Sequence, residues 1–217
     1  MKNRCLIIFL LFSIKLMAQY DSTSIKIEYL DADMTLINEL NEIQFIGLKC
    51  SDRKMKGKKF LLTFREYENG KLIVDDTSRL ICEDRNIPMF IGTDTMYYFY
   101  NTCSGSTFQP DDSVYRIKFA GKLQGVNFKL LIAWVPGFEL SKQLKGNSDY
   151  SLRTIHNSED NEMKVRLNTV TPILTYTPPY EFGAGAKEYC ILDGSPIEDW
   201  YSKYKIKHFY IISLKIL

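Results

Sequence analysis

The stretch Phe60-Leu61-Leu62-Thr63-Phe64-Arg65-Glu66-Tyr67-Glu68-Asn69-Gly70-Lys71-Leu72-Ile73-Val74 reads as two strands folded about a turn, and it points the rest of the chain toward a β fold. Aromatic and branched side chains fill both arms, and such groups pack well on a pleated surface. Asn69-Gly70 is the strongest short-range hairpin signal in the chain. Two registers compete. A two-residue turn sets Phe64 across from Asp75, whereas a three-residue loop with Gly70 in the left-handed conformation sets Phe64 across from Val74. The three-residue loop is the expectation.

Alternation of apolar and polar residues continues on both sides of this hairpin. Ile25, Ile27 and Tyr29 alternate with Lys26 and Glu28; Tyr115, Ile117 and Phe119 with Arg116 and Lys118; Met163, Val165 and Leu167 with Lys164, Arg166 and Asn168. These are half-buried strands. Further strands are expected at 43–50, 79–82, 95–101, 126–135, 150–155, 188–192 and 208–214. In the 126–135 run both faces are apolar, Phe128, Leu130, Ile132 and Trp134 on one and Leu131, Ala133 and Val135 on the other, which predicts a central strand covered on both sides near its end.

Two helical signals interrupt the strands. Ser195-Pro196-Ile197-Glu198 offers an N-cap hydroxyl, a proline at the first helical position and the glutamate of a capping box, and Ile197, Trp200, Tyr201 and Tyr204 follow at helical spacing. The weaker signal is Asp33 followed by Met34, Leu36, Ile37 and Leu40, which is compatible with a turn. Crossover helices are missing from most connections. The expected fold is therefore mainly β, an antiparallel β-sandwich with one short helix near the C-terminus. Residues 19–217 are read as a single domain, because a boundary at 136–149 would leave a C-terminal piece near the size at which a core becomes marginal.

Residues 1–18 stand outside that domain. Lys2 and Arg4 precede the apolar run Leu6 to Ile14, and Leu16-Met17-Ala18 leads into Gln19 and Asp21, the layout of a secretory signal peptide. The run is about half of the roughly 20 residues that a spanning helix needs, so cleavage after Ala18 is expected and no stable membrane insertion afterwards. A short signal ending Met17-Ala18-Gln19 before an aromatic-rich β domain resembles the exported β-rich proteins of unknown function in Gram-negative gut-type bacteria. The resemblance implies periplasm or cell surface, and it carries no catalytic residue onto any position here.

Loss of the signal changes the charge. The whole chain has 28 Lys and Arg against 26 Asp and Glu; without Lys2, Arg4 and Lys15 the balance is near −1. Such a chain offers no global positive field to neutralise phosphates, so nucleic acid is not an expected partner. The local basic run Arg53-Lys54-Met55-Lys56-Gly57-Lys58-Lys59 reads as a solvated turn. Four cysteines remain, Cys50, Cys82, Cys103 and Cys190, and an even count in an oxidising compartment permits two disulfides with three connectivities. Buried free thiols are the competing reading.

Most specific catalytic signatures are missing: the nucleophile elbow, the phosphate-binding loop, the H-E-x-x-H helix and closely spaced zinc ligands. With only His156 and His208 present, no metal site and no cofactor is expected. The acidic pairs Asp31/Asp33, Asp75/Asp76, Asp111/Asp112 and Glu159/Asp160 read as loop acids. Cys103 and Ser104, on a Ser/Gly-rich turn, lack an evident base. The best binding signal is the loop 177–186, where Tyr180 and Phe182 offer flat faces and Glu181 an acceptor to a glycan or to another envelope protein.

The expected function is thus a non-catalytic exported binding or interaction module. One competing reading is a carbohydrate-active hydrolase working through loop carboxylates, which needs no local motif. Another is an envelope assembly protein that pairs through an edge strand, with Phe209 to Leu217 as the candidate edge.

Overall fold

The computed structural model describes residues 21–28, 30–55, 58–80, 84–101, 105–106, 115–135, 138–155, 161–182, 186–188 and 195–217. The chain runs through β1 (Ser22–Glu28), α1 (Ala32–Leu40), β2 (Ile43–Cys50), a 3-10 turn at Arg53–Met55, β3 (Phe60–Glu68) and β4 (Lys71–Leu80). It continues through β5 (Asp84–Ile91), β6 (Asp94–Asn101), β7 (Gly105–Ser106), β8 (Tyr115–Gln124), β9 (Asn127–Val135) and β10 (Phe138–Lys145). Then come β11 (Ser151–Thr154), β12 (Glu162–Arg166), β13 (Thr171–Thr177), β14 (Tyr180–Phe182) and β15 (Ala186–Glu188). A 3-10 turn (Ile197–Asp199), α2 (Trp200–Tyr204) and β16 (His208–Ile216) follow.

Two larger sheets form the body. The first has the order β10-β9-β8-β2-β1-β12 and the second β11-β13-β16-β3-β4. All of their pairings are antiparallel. Period-two alternation decides which residues face inward. Ile25, Leu48, Ile117, Phe119, Phe128, Leu130, Met163 and Val165 of the first sheet meet Phe60, Leu62, Phe64, Tyr176, Tyr210, Ile212 and Leu214 of the second in one core. This is the antiparallel β-sandwich that the alternation predicted. Each such side chain contributes roughly 1.5–3 kcal/mol when fully buried.

The second sheet is also covered on its outer face. Tyr67, Phe209 and Ile211 point away from the sandwich core and pack with Trp200 and Ile206 of the C-terminal helical segment. Tyr67 stacks on Phe209 at 4.9 Å, and Trp200 lies 5.0 Å from the same ring. The expected capping box does not form there. The segment opens as a 3-10 turn, and Ser195 Oγ lies 3.0 Å from Tyr204 Oη and accepts from Lys203 Nζ at 3.0 Å instead of capping a backbone amide.

Three expectations are corrected by the topology. Glu68 pairs with Lys71, so Asn69-Gly70 is a two-residue turn, with φ of 49° and 77° as a type I′ turn requires. The register then shifts at a bulge between Glu66/Tyr67 and Val74/Leu72, leaving Ile73 unopposed and Phe64 across from Asp76. Strand β9 lies next to the edge strand β10, and Leu131 on its outer face is exposed. The final run is no edge either: β16 sits between β13 and β3, hydrogen-bonded on both sides.

The Asp33 segment is a full helix of nine residues. Asp31 caps it, its carboxylate accepting from Met34 N at 2.8 Å, and Asn41 closes it with Nδ2 donating to Ile37 O at 2.8 Å. No described helix is long and apolar enough to cross a membrane.

Candidate functional site

Because β1 and β2 are antiparallel neighbours, α1 between them lies across their shared end. Below it opens a groove of about 500 Å³, bounded by α1, the ends of β1 and β2, and β11 of the opposite sheet. Its apolar lining comes from Ile27, Ile46 and Leu152, which also pack on the core, and from Ile43 and Phe45 on the other face of β2. The helix contributes Thr35, Asn38 and Glu39, which share one face at spacings of three and four. That orientation is inverted. A surface helix normally turns its apolar stripe inward, whereas here Met34, Leu36, Ile37 and Leu40 are exposed, Leu40 by 85%.

Among the described residues, the wall formed by β11 is a sheet edge, paired only with β13. Part of this edge is satisfied by a side chain. Gln44 Nε2 donates to Tyr150 O at 3.2 Å, and Leu152 N donates to Gln44 Oε1. Ile155 N donates to Ile173 O, toward the sheet interior. Since backbone groups alternate sides along a strand, the N–H and C=O of Thr154 lie on the Gln44 side, the outer edge. Thr154 itself lines the groove.

Charge in the groove is uneven. Glu28 is shared between Arg116 at 3.2 Å and Lys49 at 3.9 Å. Arg153 lies along its own strand, Nε donating to Ser151 Oγ at 2.9 Å. Glu39, at the rim, has no ion-pair partner among the described residues.

A separate titratable cluster sits deeper, at the end of the sandwich. His208 Nε2 lies 3.0 Å from Glu66 Oε1, and Tyr150 Oη lies 3.0 Å from His208 Nδ1. Carboxylate, imidazole and hydroxyl stand in the order used to activate a nucleophile. Their electrostatics oppose that role. Burial pushes the Tyr150 phenol up, away from the reactive phenolate. Burial also works to raise the Glu66 carboxyl, but hydrogen bonds with His208 and Tyr210 and the charges of Lys145 and His208 outweigh it and hold the group below its usual range. Tyr150 packs against Tyr176 at 5.2 Å and His208 against Tyr210 at 5.1 Å. The cluster ties β3, β16 and the segment before β11 together; it is a lock between strands.

The residues singled out from the sequence are dispersed. Tyr180 does not offer a flat face: its ring is buried and meets Tyr204 at 5.1 Å, because the outer face of the second sheet needs a cover. Glu181 is exposed, and the Phe182 side chain lies outside the described part. Cys50 is a free, buried thiol 3.3 Å from Thr23 Oγ1. Cys82, Cys103, Ser104, Asp111, Asp112, His156, Glu159, Asp160 and Cys190 lie outside the described residues, as do residues 1–18.

Of the acidic pairs noted in the sequence, three described members are engaged singly. Asp31 caps α1, Asp75 pairs with Arg65 at 3.4 Å, and Asp76 pairs with Lys142. Among the described residues no three His, Cys, Asp or Glu side chains converge as a metal site would. In the basic run, Met55 is fully buried and pins the turn to the core, and Lys54 pairs with Asp21.

Groove residues come from β1, α1, β2 and β11, so no local motif marks them. The one usable signal was the helix itself, an acid-capped segment whose apolar residues are exposed. No protein-family model, curated protein or solved structure matches the chain.

Proposed function

We propose that this chain is an exported, non-catalytic binding module of the bacterial cell envelope, at the periplasm or cell surface, with the groove between α1 and β11 as its ligand seat. The groove is the observation that carries the reading. Its size lies within the range of about 300–1,000 Å³ usual for ligand sites, and it combines an apolar floor with a few polar groups at the rim. The signal layout at residues 1–18 supports export. Against catalysis stand Asp31, Asp75 and Asp76, committed to a cap or an ion pair, and a Tyr150 hydroxyl whose acidity is suppressed.

A thermal-shift screen of residues 19–217 against glycans, peptidoglycan fragments and short peptides tests this. A ligand at 100 times its dissociation constant stabilises the folded state by about 2.7 kcal/mol, enough to raise the midpoint by several degrees. Asn38→Arg plugs the groove from the helix without touching the core. The expected result is a shift in the wild type that this variant loses. A screen with no shift, or a shift that survives Asn38→Arg, would sink the groove as the binding seat.

A further inference from the structure

We infer that the occupant of the groove is an extended polypeptide segment carrying a basic residue, which adds to the outer edge of β11 as a sixth strand of the five-stranded sheet. The inference rests on the groove being the ligand seat and names what sits in it. Its first support is the backbone. The Gln44 amide already gives a donor to Tyr150 O and an acceptor to Leu152 N, as an added strand would. One rung farther along the same edge lie the N–H and C=O of Thr154, at the groove. An amide backbone matches that donor and acceptor pair, and strand addition of this kind is a general mode of peptide recognition.

The second support is the pair of walls. Side chains of an added strand alternate, so one set meets the apolar wall at Ile27 and Ile46, which share the core face of the first sheet, while the other faces the polar side of α1. Glu39 on that side has no counter-ion among the described residues, whereas Glu28 is neutralised by Arg116 and Lys49. A lysine or arginine in the ligand supplies the missing charge. The far edge of the same sheet offers a poorer template, since β4 is bulged near Ile73 and its Asp75 and Asp76 are held in ion pairs.

The test is selection of a displayed random heptapeptide library on residues 19–217, with removal of clones that also bind the Asn38→Arg variant. The tightest sequence is synthesised and titrated by calorimetry. It should alternate apolar residues, include Lys or Arg, and lose affinity with rising salt. Thr154→Pro deletes one outer-edge N–H at a position where an edge strand tolerates proline, and it should weaken binding about tenfold. Glu39→Gln should weaken it about threefold.

N-methylation of the peptide at alternate residues should abolish binding in one register and spare it in the other, an arm that needs only wild-type protein. Equal tolerance of both methylated registers overturns strand addition, as does a selection that yields no groove-dependent peptide. If a glycan meanwhile gives a thermal shift that Asn38→Arg removes, the groove stands and the peptide falls; if neither binds, both fall.

Discussion

Gly121 shows how closely single residues are fitted in this sandwich. A Cβ built there would lie 2.1 Å from Cζ of Phe128, whose ring crosses the glycine on the inner face of β8 and stacks on Tyr176 at 4.3 Å. Both rings are fully buried, so neither has room to retreat. Gly121→Ala should therefore cost roughly 1–3 kcal/mol, the range for overpacking a core. For a domain of this size that lowers the melting midpoint by several degrees, with partial recovery in the Gly121→Ala/Phe128→Leu double variant. An unchanged midpoint in the single variant would contradict the close approach. Nothing in the sequence announces it, because Gly121 and Phe128 look like an unremarkable strand glycine and a core phenylalanine until the hairpin pairs their strands. Glu66 and His208 are hidden in the same way, meeting across 142 positions.

Among the elements, the β3–β4 hairpin was legible in kind and misread in register. Its turn residues follow from local chemistry, since Asn69 and Gly70 both accept positive φ. The bulge at Ile73 does not, because it depends on how an edge strand twists against its neighbour. Gly70 also carries a tertiary contact: a Cβ there would lie 3.1 Å from Tyr201 Cβ and 3.2 Å from Cδ1 of its ring. Gly70→Ala should cost about 1–2 kcal/mol from the left-handed backbone alone, more with Tyr201 in place. A urea titration of Gly70→Ala beside the Gly70→Ala/Tyr201→Ala double variant separates the two, and a loss that is identical in both would exclude the ring contact.

Strand β13 escaped the sequence reading altogether, although it is interior to its sheet. Pro172 interrupts its pattern, and the structure absorbs it with a register shift between Pro172 and Leu174. The helix α1 was under-read for a different reason. Its inverted polarity leaves the residues that suggested it exposed.

At the scale of the whole molecule, alternation was enough to fix the architecture, while the groove had to wait for two sheets and a helix to meet. The same assembly creates the pH limits of the fold. Tyr176 and Tyr210 lie between the sheets, and burial pushes both phenols well above their ordinary range, as it does more mildly for Tyr150. A raised folded-state value means that the stability is present below about pH 10, the ordinary tyrosine value, and is lost as pH rises beyond it. Glu66 is depressed, so its contribution is present above the ordinary glutamate value of about 4.3 and is lost as pH falls through its folded-state value. Urea unfolding across pH should show a plateau bounded by these two arms. Glu66→Gln should flatten the acid arm and only weaken the alkaline one, since burial comes first and Glu66 second among the causes that raise Tyr210; there phenolate absorbance of the three tyrosines should rise only together with unfolding. Phenolate formation in the folded protein near pH 10 at all three would refute the buried cluster.

The central place of β16 has a consequence for how the chain is made. Strands β3 and β13 flank it, yet β16 is the latest in sequence of all the described strands. A chain emerging from the ribosome therefore holds both flanks of the second sheet without the strand that joins them, and Phe64, Leu62 and Phe60 have no opposite partner in β16 until Ile212, Leu214 and Ile216 have been added in turn. Synthesis and folding are thereby kept apart. Under the export proposed above, late delivery of the middle strand leaves the second sheet open at its centre until β16 has been made.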